Sequence, residues 1–116
     1  YAFGGFAFSA DHKPRWKSLS QIDRYDIRTD TWETVGQMLS PRSSNQAVLV
    51  EDKVYLVGGW DSTPKNENDL EGRFHADIEI FDLQTQKISL APFKMPLPLR
   101  RAFTAVDYQG KIVMVG

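Results

Sequence analysis

The 116-residue chain contains no cysteine, which excludes disulfides and thiolate metal sites within it. It lacks any apolar run approaching the roughly 18 residues that a membrane-spanning helix needs, so no membrane span is expected. It also lacks a charge excess. Fourteen Lys and Arg stand against 15 Asp and Glu with both signs interspersed, whereas a nucleic-acid surface carries a basic balance. No HxH, HExxH or Asp-rich calcium spacing occurs, so neither a metal nor a cofactor is expected. No Gly-x-Ser-x-Gly elbow accompanies the serines, which leaves a nucleophile triad without support. Helical periodicity is missing too: no segment keeps a 3.6-residue apolar period over three turns.

Short apolar runs rich in Val, Ile, Tyr and Phe, bounded by polar, Gly or Pro clusters, fill the chain instead, and these are strand signals. The runs repeat. Tyr1-Ala2-Phe3-Gly4-Gly5 and Val54-Tyr55-Leu56-Val57-Gly58-Gly59 end in glycine pairs, and Ile112-Val113-Met114-Val115-Gly116 reaches a first glycine. Gly4 and Gly58 are 54 residues apart, and Gly58 and Gly116 are 58 apart. Ile22-Asp23-Arg24-Tyr25-Asp26 aligns with Ile78-Glu79-Ile80-Phe81-Asp82, and Pro41 to Val48 aligns with Leu99 to Val106. One period holds strands expected at about 45–50, 53–58, 77–83 and 87–91, and four strands per period of about 50 residues is the content of a propeller blade.

With these landmarks the chain resembles kelch repeats, in which a glycine pair closes the second strand, a Tyr lies in the third and a Trp follows seven positions later. Tyr25 and Trp32 keep that spacing, while Phe81 and Ile88 replace both aromatics in the second copy. The resemblance implies an all-β fold of kelch-type β-propeller blades, each a four-stranded antiparallel sheet, with about two blades of an incomplete ring. Residues 1–36 are expected to give strands two to four of a first blade, 43–91 a complete second blade, and 102–116 the first two strands of a third. A blade hides its apolar faces only against its neighbours. The remaining blades of a larger propeller, or further copies of the chain, are therefore expected partners.

Antiparallel neighbours put the loops leading into strand one and leaving strand two on one face. There the segments are long, Phe6 to Gln21 and Trp60 to Ala76, joined by the lead-ins Met38 to Arg42 and Pro92 to Arg100. Long loops tend to carry function. The opposite face has only short turns, such as Glu51-Asp52-Lys53 and Gln109-Gly110. By the resemblance, residues at the start of the inner strand line the mouth of the central channel. Arg42, Arg100 and Arg101 thus form a candidate basic rim for carboxylates or phosphates. The alternative reading pairs these arginines with backbone carbonyls or an acidic loop. Glu71, Arg73 and His75 are further candidates, because His titrates near neutrality and the others supply acid and cation; ordinary solvated loop surface is the alternative. His12 and Arg15 stand in the first long loop in a similar mixture. Tyr25 is expected to pack between sheets and Trp32 to fill the outer strand, with Asp26 and Asp82 capping turns.

The resemblance implies a binding module that presents its long-loop face to a protein partner or a small anionic or carbohydrate ligand. Two alternatives stand beside it: a sugar-active enzyme of the sialic-acid mutarotase type, using Glu71, Arg73, Arg42 and Arg100, and a purely structural segment. The copper oxidases of galactose need a Tyr–Cys crosslink that a chain without Cys cannot make. A soluble chain of either a bacterial periplasmic or secreted compartment or the cytoplasm fits this composition.

Overall fold

Strand-forming runs broken by polar turns produce thirteen strands and no helix in the computed structural model, which describes residues 1–11, 16–98 and 103–116. Three antiparallel sheets carry the fold. The first joins β1 (Ala2–Phe3), β4 (Gln21–Asp26) and β5 (Thr31–Gln37) in that spatial order. The second joins β6 (Gln46–Val50), β7 (Lys53–Val57), β10 (Asp77–Asp82) and β11 (Ile88–Lys94), in spatial order β6-β7-β10-β11. The third pairs β12 (Thr104–Tyr108) with β13 (Lys111–Val115). The sheets reproduce the expected strand content of the repeat, and the inner strands β6 and β12 lie side by side.

The middle sheet is buried on both faces, which explains why Val54-Tyr55-Leu56-Val57 reads as a continuous apolar run rather than an alternation. Val54, Leu56 and Phe81 face the first sheet and pack with Ile22 and Met38; the Phe3 ring meets Phe81 edge-on at 5.6 Å. Val48, Val57, Ile78 and Ala91 face the third sheet and pack with Met95, Phe103 and Ala105. Complete burial of a side chain such as Leu56 or Phe81 stabilises by about 1.5–3 kcal/mol. Met38 and Met95 are repeat partners. Each follows an outer strand, each is buried, and each donates its N–H to a carbonyl before a third strand, Ser20 and Ala76 respectively.

Trp32 lies in the outer strand β5, as expected, and Tyr25 faces it from β4 on the side of the first sheet opposite the second. They pack on each other at 5.1 Å, the Tyr25 hydroxyl donates to Asp30, and Trp32 is 61% exposed, because this face of the first sheet points away from the second. Phe81, the counterpart of Tyr25, is fully buried because its face meets the first sheet. The long segments carry strands of their own. Each folds back as a small lateral hairpin: β2 (Phe6–Phe8) with β3 (Trp16–Ser18), and β8 (Trp60–Asp61) with β9 (Arg73–Phe74). The turn caps behave as expected: the Asp26 carboxylate accepts the Arg28 N–H, and Asp82 accepts those of Gln84 and Thr85. Among the described residues no helix is long and apolar enough to cross a membrane.

Candidate interaction face

Both lateral hairpins and the segment leading into β6 meet at one end of the sheets. The Gly5 N–H donates to the Arg42 carbonyl at 2.8 Å, and the Arg42 N–H donates to the Leu19 carbonyl at 3.0 Å. Ser43 and Trp60 exchange two backbone hydrogen bonds, of 3.0 and 2.9 Å. The buried Ser18 hydroxyl donates to the Trp60 carbonyl at 2.9 Å, and the Ser18 N–H reaches the Ser62 hydroxyl at 2.8 Å. The glycine pairs permit this closeness. A Cβ on Gly4 would stand 2.3 Å from the Arg42 carbonyl oxygen, at a φ of 70°. On Gly59 it would stand 3.0 Å from the Asn45 Cβ, at a φ of 101°. The turns gather at the other end, where the Leu83 N–H donates to the Asp52 carbonyl.

Arg42, expected to face a ligand across the channel mouth, has its side chain closed off from solvent. Its Nε donates to Glu79 at 3.0 Å and its Nη1 to the Gly58 carbonyl at 2.9 Å. Glu79 also accepts the N–H groups of Leu39, at 2.5 Å, and Ser40, at 3.2 Å. A carboxylate with this many donors is a buried charge whose hydrogen-bonding capacity is met. The geometry is that of the ion-pair alternative: Arg42 fastens the lead-in segment to the second and third strands of its own sheet. Ser44, two positions on, is exposed and holds a φ of 62°, uncommon for a residue with a Cβ. Arg100 and Arg101 lie outside the described residues, as do His12 and Arg15.

Glu71, Arg73 and His75 belong to one ordered loop. The Asp69 carboxylate accepts the N–H groups of Lys65, Glu71 and Gly72 and an Nη2 bond from Arg73 at 3.0 Å. Those backbone donors, the Lys65 N–H first, hold the Asp69 carboxyl below its ordinary range. The Trp60 indole N–H donates to the Glu71 carbonyl at 2.7 Å and pins the far side. His75 Nε2 meets Asp61 at 2.8 Å. Burial pushes the Asp61 carboxyl up, but the His75 and Thr63 hydrogen bonds outweigh it and leave the group below its usual value. The structure thus ties Arg73 and His75 to acids in their own loop and separates them from the buried Arg42. Of the sugar-active set Glu71, Arg73, Arg42 and Arg100, the structure keeps Arg42 apart from Glu71 and Arg73, and Arg100 lies outside the described residues. Sequence reasoning missed Asp61, Asp69 and Glu79. Glu79 alone left a visible mark, an acid flanked by Ile78, Ile80 and Phe81 in an apolar strand. Among the described residues no group of three His, Cys, Asp or Glu side chains is placed to hold a metal ion.

Comparison with known proteins matches residues 1–39 and 41–87 to the Kelch motif. Kelch-like protein 7 of Rattus norvegicus is 28% identical over 97 residues, which is 84% of this chain and 14% of that protein. Kelch-like protein 1 of Mus musculus is 42% identical over 43 residues, 37% of this chain and 6% of the relative. An F-box/kelch-repeat protein of Arabidopsis thaliana is 30% identical over 83 residues, 71% of this chain and 18% of the relative. The chain therefore spans a small part of the length of the curated relatives it matches.

Proposed function

Because this chain belongs to the kelch-repeat family, we propose that its three sheets are successive blades of one β-propeller and that the propeller is a protein-interaction module working through the face of the lateral hairpins. The ordering of the 62–72 loop carries this reading. An exposed loop of this length costs conformational entropy to fix, and fixing it in advance lowers the cost of docking. Asp69, Arg73 and the Trp60 indole fix it with side chains from the loop and its hairpin. The fixed loop presents Leu70, which is 59% exposed, beside the charged Glu67 and Glu71. An apolar anchor in a polar surround suits a protein surface.

The test uses the whole protein that contains this chain. A photo-crosslinking residue placed at Leu70 is expected to yield partner adducts, and one placed at Gln84, on the turn end, is expected to yield none. The adducts formed from position 70 should weaken when Arg73→Ala loosens the loop and persist when Glu51→Lys alters the opposite end. Equal adducts from positions 70 and 84 count against the assignment of the face.

A further inference from the structure

We propose that Thr63 is a phosphate-acceptor site for a proline-directed protein kinase and that Arg73 receives the phosphate, giving the loop face a covalent switch. This goes beyond the docking reading and does not depend on the identity of any partner. The chain has two hydroxyl–proline pairs, Ser40-Pro41 and Thr63-Pro64, and the structure treats them differently. Thr63 is exposed, and Pro64 and Lys65 after it are exposed as well. The proline disfavours helical backbone at Thr63 and removes the next N–H, the local feature that a proline-directed kinase reads. Ser40 is half-buried, its N–H is held by the buried Glu79, and the closed-off Arg42 follows two residues later.

On one side of Thr63 lies the Arg73 guanidinium, which also holds Asp69. The Thr63 carbonyl accepts Arg73 Nη1 at 2.5 Å, and Arg73 Nε is buried without a hydrogen-bond partner among the described residues. On the other side, the Thr63 N–H donates to Asp61 at 2.9 Å. In the transfer, the γ-phosphoryl of a nucleoside triphosphate moves to Thr63 Oγ1. The Oγ1–P bond forms, the bond to the β-phosphate oxygen breaks with its electron pair left on the diphosphate, and the hydroxyl proton goes to the kinase's base. The product carries about −1.5 to −2 charge near the Asp61 carboxylate, so repulsion turns it from Asp61 toward the guanidinium.

The experiment incubates the whole folded protein with a proline-directed kinase and ATP and maps phosphate by mass spectrometry over time. Thr63 is expected to be modified, Ser40 to react at least about tenfold more slowly, and Pro64→Ala to slow Thr63 by a similar factor. An unmodified Thr63, a Ser40 that keeps pace with it, or indifference to Pro64→Ala overturns the acceptor assignment. On the modified protein, phosphorus NMR then follows the second ionisation of the phosphate, ordinarily near pH ~6. That ionisation is expected at lower pH in the parent than in Arg73→Gln, with Arg73→Lys between them. Coincident titrations overturn the role of Arg73.

Discussion

Arg42 and Glu79 meet at 3.0 Å with both side chains buried, and through them the segment leading into the inner strand is fastened to the rest of its sheet. Desolvating two charges is costly, and the pair offsets that cost only while both partners and their extra hydrogen bonds are in place. Truncating one partner strands the other. Glu79→Ala is therefore expected to destabilise the whole protein by about 3–5 kcal/mol in chemical denaturation. Arg42→Met with Glu79→Leu should cost clearly less than the sum of the single changes. A double variant as unstable as that sum would contradict the coupling.

The glycine pair at the end of β1 offers a sharper contrast. Gly4 and Gly5 both have positive φ, 70° and 111°. Gly4 faces a backbone oxygen, the Arg42 carbonyl at 2.3 Å from a built Cβ, while among the described residues nothing lies within 4 Å of a Cβ at Gly5. Gly5→Ala is expected to cost the backbone strain alone, about 1–3 kcal/mol. Gly4→Ala should cost more, since a carbonyl engaged with the Gly5 N–H must also move. Equal denaturation midpoints for the two variants would contradict the close-approach argument.

Asp61 sets a pH dependence with a definite sign. Its folded carboxyl is held below its ordinary value by His75 and Thr63 against the opposing effect of burial. A depressed folded pKa stabilises the folded state above the unfolded value, about 3.9, and this stabilisation is lost as pH falls through the folded value. The stability gap between the parent protein and Asp61→Asn is thus expected to be flat above about pH 5 and to shrink in acid below about pH 4. Denaturation midpoints taken across that range check it, and a gap that widens in acid would reverse the assignment.

Much of the fold was legible because a repeat writes each structural demand more than once. The glycine pairs, the aromatic-Asp dipeptides and the matched inner-strand segments located the strands of the middle sheet to within a few residues. The site was less legible, for a physical reason. Arg42 and Glu79 are 37 residues apart and lie on different strands, so only the three-dimensional pairing decides whether Arg42 faces solvent or an acid. The lateral hairpins escaped notice because β8 and β9 are two residues each, too short for an alternation to register.

Asp69 makes more hydrogen bonds to the 62–72 loop than any other described side chain, and this yields the last prediction. Asp69 accepts backbone N–H groups from Lys65, Glu71 and Gly72 and takes the Arg73 guanidinium, yet it belongs to neither buried cluster between the sheets. Asp69→Ala removes these acceptors without opening a cavity in the core. Amide exchange at Lys65, Glu71 and Gly72 should accelerate, because local opening there no longer breaks the Asp69 bonds. Exchange in β7 and β10 and the global denaturation midpoint should stay near the parent values. Partner binding through the Leu70 surface should weaken through the entropy of an unfixed loop, with a slower association or faster release but an unchanged fold. If exchange in β7 accelerates together with the loop, Asp69 supports the sheet rather than the loop, and the preorganised docking surface loses its basis.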